Sequence, residues 1–239
     1  MKARLSVILC GLSIALTANA SELFVNGGFE ANGGRGTTAF TSWLTGGTAA
    51  SDDNFYADNT TDATPVNGNP TVGPFAGTWY GVSDMSGLQS PESSYIVQLL
   101  TIPLGTTQVI FSGEMFVNDI FGGSGSGAEI GIWGAAANVL TTAPLFVIQA
   151  FVDTAVAGGP NPYVLYTLDV TAHVTPGTSY QVGVLEEDET GPINVGVDNF
   201  SLAATGSLAT PEPATLIPTA LLGAGIILFS LRRKVRGQV

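Results

Sequence analysis

Cysteine is almost missing from this chain: 239 residues hold one, Cys10. Histidine is equally scarce, with His173 alone. Basic residues are few and pushed to the ends. Lys2 and Arg4 stand at the start, Arg232, Arg233, Lys234 and Arg236 at the finish, and only Arg35 between them. With Cys10 in the first apolar run, the middle of the chain has no disulfide and no cysteine-ligated metal. One histidine gives a zinc site or a Ser-His-Asp triad little to build on. Asp169 lies four residues before His173, a spacing without special meaning in a strand, so His173 reads as a turn or surface residue. The acids are plentiful. All 19 lie between Glu22 and Glu212, which leaves the middle strongly negative. Repulsion excludes nucleic acid and anionic lipid as partners. Divalent cations, neutral glycans and basic proteins remain.

What is present at the ends is processing information. Met1-Lys2-Ala3-Arg4, an apolar run from Leu5 to Leu16, and Ala18-Asn19-Ala20 make a secretory signal peptide, residues 1–20, cut by signal peptidase after Ala20. Leu9 before Cys10 argues against a lipoprotein signal. Near the other end, Ala214 to Leu231 carries no charge. At ~1.5 Å per residue it makes a helix about as long as a bilayer core is thick. Arg232, Arg233, Lys234 and Arg236 are then the membrane stop, with residues 232–239 a cytoplasmic tail. The tripeptide Pro211-Glu212-Pro213, the apolar helix and the basic end resemble the PEP-CTERM sorting signal of exopolysaccharide-producing Gram-negative bacteria. That resemblance implies an inner-membrane-anchored precursor, recognition by an exosortase-type membrane peptidase, and delivery to the cell surface or extracellular matrix.

Between the ends lie a domain, residues 21–205, and a linker, 206–213. No helical stripe persists for three turns. Runs rich in Val, Ile, Phe, Tyr and Thr recur instead, separated by Gly, Pro and Asn. Strands are expected near residues 22–25, 78–82, 95–102, 107–117, 128–133, 145–151, 163–170, 179–185 and 194–202. The fold class is all-β, an antiparallel jelly-roll β-sandwich. Residues 46–76 read as a long surface loop and Gly122 to Gly127 as a flexible connection.

Asn26-Gly27-Gly28-Phe29-Glu30 opens this domain and Val197-Asp198-Asn199-Phe200-Ser201-Leu202 closes it. Gly27 and Gly28 are expected to take positive φ in a sharp turn, Phe29 to enter the core and Glu30 to point away. If first and last strands meet, Glu30 and Asp198 meet too. The two motifs resemble those of galactose-binding-like jelly rolls, which include many carbohydrate-binding modules. The resemblance implies a structural calcium ion there, assigned to Asn26, Gly28, Glu30 and Asp198, that pins the chain ends.

Other features are weighed against plainer readings. Glu186 to Glu189 reads as a solvated hairpin loop. Trp43, Trp79, Tyr80 and Trp133 are candidates for stacking on sugar rings, with Tyr163 and Tyr166 beside them; core packing is the competing use. No pair of carboxylates is marked as a glycosidase site. The reading is a non-enzymatic surface or matrix protein whose sandwich binds polysaccharide. A structural or adhesive protein without a glycan site is one alternative, and a β-sandwich hydrolase another.

Overall fold

The computed structural model describes residues 19–48, 54–84, 92–119, 126–150, 160–188 and 193–206. Most of the expected signal peptide, the Gly122–Gly127 connection up to residue 125, the sorting tripeptide, the apolar helix and the basic tail lie outside the described residues. Ala20–Gly206 form one compact unit. Among the described residues no helix is long and apolar enough to cross a membrane.

The described strands are β1 (Asn19–Glu22), β2 (Leu44–Gly47), β3 (Phe55–Asp58), β4 (Tyr80–Ser83), β5 (Glu92–Thr101), β6 (Thr106–Asp119), β7 (Gly127–Gly134), β8 (Phe146–Gln149), β9 (Val164–Asp169), β10 (Ser179–Asp188) and β11 (Ile193–Gly206), with one 3₁₀ turn at Thr171–His173. They build two antiparallel sheets. One has the order β3-β4-β11-β6-β9, with β1 also on β11; the other runs β2-β5-β10-β7-β8. Alternation sorts their side chains. Val182 and Val184 of β10 enter the main core with Ile96 of β5 and Ile130 of β7, while Leu185 and Val97 face the other way.

One strand breaks its own parity. Ile193, Val195 and Val197 of β11 point into the core, and so do Phe200, Leu202 and Ala204. A bulge between Asp198 and Ser201 makes this possible, with Asn199 in the left-handed region at φ 52°. The extra residue resets which face the strand presents. Phe200 then lies over Gly113, where an added Cβ would come within 2.5 Å of its ring.

Each sheet is also covered on its outer face. Residues 59–79 fold over the first sheet, and Tyr80, Val82 and Phe116 are buried there with Val72 and Tyr163 against them. The segment after β7 folds over the second, burying Trp133, Val97, Val139 and Leu185. Two expectations are corrected here. Residues 46–76 are not one surface loop: they include β3, whose four residues are all buried. Burial on both sides removes the alternation that marks a strand in sequence. Glu186 and Glu187 belong to β10 rather than to a solvated loop. Glu186 is fully buried and accepts the Ser94 hydroxyl at 2.7 Å.

Candidate functional site

The two ends of the domain meet. Leu23 donates its N–H to the Leu202 carbonyl at 3.0 Å. The Glu22 carboxylate accepts the Leu202 N–H at 2.8 Å and also the Ser201 hydroxyl. Next in the chain, Phe29 N–H closes a turn on the Asn26 carbonyl at 3.0 Å. The positive φ angles fall on Asn26 (59°) and Phe29 (56°), not on Gly27 and Gly28. Gly27 serves close approach instead. Its carbonyl accepts the Phe200 N–H at 2.9 Å, and a Cβ on it would stand 1.8 Å from the Phe200 oxygen.

Phe29 enters the core, fully buried, and Glu30 turns outward. Phe29 and Trp43 pack with ring centroids 4.9 Å apart, Phe24 stacks on Trp43 at 5.0 Å, and Phe200 meets Phe29 at 6.0 Å. These rings tie the opening turn to the last strand by dispersion and apolar burial.

Glu30 and Asp198 come to one segment. Asp198 Oδ2 accepts the N–H groups of Phe75 (2.8 Å) and Ala76 (3.0 Å), and Oδ1 that of Asn199 (2.7 Å). Glu30 Oε1 accepts those of Thr78 (2.8 Å) and Trp79 (3.1 Å). Gly77 between them has φ +69°, and a Cβ there would meet Glu30 Oε1 at 2.1 Å. Burial pushes Asp198 up to about 6, against the pull of the Ala76, Asn199 and Phe75 N–H groups, and the Glu30 charge adds to the rise. Opposite Asp198 on β6 stands Glu114, raised by its own burial.

Among the described residues no Lys or Arg neutralises this corner. Arg35 is spent elsewhere, with Nε on Asp58 Oδ1 at 2.8 Å. Of the expected ligands, Asn26 is turned to Ala31, which it meets through both side-chain atoms (2.8 and 2.9 Å), and Gly28 lies beside Glu30. Among the described residues no three His, Cys, Asp or Glu side chains converge on a metal position. The donor set fits calcium in kind, oxygen ligands without a competing base. It falls short in number, because two carboxylates need main-chain carbonyls to reach the six to eight oxygens of a calcium shell.

Sequence reasoning missed that carboxylates fasten the whole 59–79 segment. Asp58 accepts the Tyr80 hydroxyl at 3.0 Å, and that hydroxyl meets Thr71 at 2.6 Å. Asp84 takes the Thr64 hydroxyl at 2.7 Å and the Asn67 N–H at 2.9 Å. With so few lysines, acids serve as acceptors for loop N–H groups; only the surplus of acid over base hinted at it.

The sugar-stacking set is corrected at Trp43, Tyr80 and Trp133. Trp43, Tyr80 and Trp133 are buried, and Trp79 is half-buried against the main core. Their polar atoms are used internally: Trp43 Nε1 donates to the Asn26 carbonyl and Trp133 Nε1 to the Thr142 carbonyl, both at 3.0 Å. Tyr163 donates to the Gly73 carbonyl at 3.0 Å, and the exposed ring beside it is Phe75, edge-on at 5.5 Å. Tyr166 packs against the main core. His173 sits on the exposed 3₁₀ turn, its ring stacked on Phe146.

The C-terminal segment decides the chain's destination. Residues 209–234 match the PEP-CTERM protein-sorting motif. A PEP-CTERM signal marks an exported, membrane-anchored precursor, processed by an exosortase and sorted to the cell surface. No curated protein matches the chain. Among solved structures it is similar to a Stig cyclase, Fisc, from Fischerella sp. TAU, at 13% identity and TM-score 0.50, over 80% of this chain and 100% of that one. It is also similar to TmCBM61, solved with β-1,4-galactotriose, at 12% identity and TM-score 0.48, over 76% of this chain and 97% of that one. The K2 cleaved adhesin domain of Lys-gingipain follows at 12% identity and TM-score 0.44, over 77% and 97%. These likenesses lie in the fold.

Proposed function

We propose that the sandwich is the working part of this PEP-CTERM surface protein and that it binds extracellular polysaccharide without catalysing a reaction on it. The observation that supports this best is the joining of a surface-sorting signal to a compact, acidic β-sandwich in one chain. An excess of acid repels uronate-rich and phosphorylated polymers and leaves neutral and amino-bearing glycans as ligands. The proposal includes a calcium ion at Glu30 and Asp198, completed by nearby main-chain carbonyls, whose role is to hold the chain ends. Two carboxylates drawn to one segment, with no Lys or Arg beside them among the described residues, support that part.

The test is a glycan array probed with the full chain, with and without calcium. Retention on a defined glycan class supports the reading. Failure to retain any glycan under either condition overturns it in favour of a structural or adhesive matrix role. Release of reducing ends from a bound glycan would bring back the hydrolase reading.

A further inference from the structure

A pocket on the outer face of the five-stranded sheet lies apart from the chain-end site. In the β7–β10 register Leu185 stands opposite Glu129, and Glu187 follows two residues along β10. Alternation therefore sends Leu185, Glu187 and Glu129 out of the same face. The chain after β7 folds back beside them and is fixed in place. The Trp133 indole holds the Thr142 carbonyl at 3.0 Å, Gln181 Nε2 holds the Ala137 carbonyl at 2.9 Å, and Val139 is buried against Trp133. Between this flap and the sheet an open pocket of about 380 Å³ remains, walled by Glu129 and Glu187, by Thr141 and Thr142, and by Leu140 and Pro144. Small-molecule sites run from about 300 to 1,000 Å³, so this one suits a sugar unit or two rather than a peptide or a lipid tail.

The walls select the ligand by charge. Burial raises Glu129, and the nearby Glu187 charge raises it further. Two like charges in a half-enclosed space oppose one another's ionisation, and a ligand that brings a positive charge removes that opposition. A neutral hydroxyl donates a hydrogen bond but leaves both charges. The only Lys or Arg of the described residues, Arg35, is paired with Asp58 on the other sheet. Leu140 and Pro144 of the flap, with Leu185 beside the acids on the sheet, offer apolar surface, and the threonines offer hydroxyls. A bare divalent cation would use the carboxylates and leave that surface idle.

We infer that this pocket binds an amino-sugar unit with a free primary ammonium, held between Glu129 and Glu187 with its ring against Leu140 and Pro144. The inference rests on the polysaccharide reading and narrows it to cationic amino-sugar polymers. Titration calorimetry on the full chain tests it with three probes: a glucosamine trisaccharide, the same trisaccharide fully N-acetylated, and calcium chloride alone. The amine form should bind, weaken several-fold from low to physiological salt, and lose about tenfold with Glu129→Gln or Glu187→Gln. Ala143→Lys should abolish binding by placing a competing ammonium at the pocket mouth, without deleting any packed group. Asp62→Asn, an exposed acid on another face, should change nothing. Equal binding of the N-acetylated form overturns the inference, as does amine binding that survives Ala143→Lys. Heat from calcium alone that disappears in Glu129→Gln also overturns it, by making the pocket a metal site. If the array retains only neutral glycans and these variants leave binding intact, this inference falls alone; if no glycan binds, both readings fall. Should Glu129→Gln fail to fold, Ala143→Lys decides.

Discussion

Asp198 and Glu30 hold one short segment from its two ends, Asp198 by the N–H groups of Phe75 and Ala76, Glu30 by those of Thr78 and Trp79. Residues from the last strand and the opening turn thus share a third stretch of chain. Several measurable consequences rest on that joint and on the packing around it.

Calcium should raise the thermal midpoint if the proposed ion binds there. An ion that binds only the folded state contributes about 2.7 kcal/mol at a hundredfold excess over its dissociation constant. Glu30→Gln and Asp198→Asn should each remove most of the shift seen between millimolar calcium and chelator. Asp62→Asn and Glu187→Gln should keep it. Scanning calorimetry with identical shifts in all four variants would rule the site out.

The metal-free protein should lose stability as pH rises from about 4 to about 6. Asp198 titrates near 6 in the fold and near 3.8 in the open chain. A folded-state value above the unfolded one means that ionisation costs the fold, so its contribution is greatest below about 4 and gone above about 6. The size is on the order of 1–3 kcal/mol. Asp198→Asn should flatten this part of a stability-against-pH curve. Saturating calcium should flatten it too, because a cation favours the ionised carboxylate.

Gly27→Ala should cost about 3 kcal/mol, since its methyl would press on the Phe200 carbonyl and break the contact between turn and bulge. Gly134→Ala, with nothing within 4 Å, should stay within about 0.5 kcal/mol of the parent. Urea unfolding of the two variants gives the comparison.

Trp43→Ala should lower stability by roughly 3–5 kcal/mol, because it empties the junction of Phe24, Phe29 and Phe200. Glycan affinity, measured below the lowered midpoint, should stay at the parent's value. A selective loss of glycan binding in a stably folded Trp43→Ala would return the indole to the binding surface.

Replacing Pro211-Glu212-Pro213 by three alanines should leave precursor in the inner membrane. Mass spectrometry of surface protein should find no peptide from Arg232 to Val239 in the parent. Finding that tail intact at the surface would refute processing at the motif.

The sequence showed the architecture through its ends and its alternation. Phe29 follows the glycine turn and enters the core as its motif led one to expect; Phe200, which the closing motif did not place, joins it there. Glu30 and Asp198 were expected together, and they reach one segment. The rest was hidden for physical reasons. β3 is buried on both faces, so Phe55-Tyr56-Ala57-Asp58 shows no alternation to read. Trp43, Tyr80 and Trp133 carry polar atoms that pair with groups distant in sequence, and ring type alone does not tell a core indole from a bare one. Glu186 stands in a run of four acids, where nothing local distinguishes a buried acceptor of the Ser94 hydroxyl from its neighbours. The pocket beside Glu129 depends on where the chain after β7 folds back, a long-range event that no local pattern encodes.

The order of the strands bears on the journey this protein makes. β10 and β11, the last two strands of the chain, are the middle strands of their sheets. Until they arrive, one half-domain holds only the pairs β3–β4 and β6–β9, the other only β2–β5 and β7–β8. Two-stranded pieces are marginal on their own. Neither sheet can close before β10 and β11 have been made, so a chain emerging N-terminus first should gain its stable fold only with its final strands. The last two strands of the chain are thus the ones that complete both sheets.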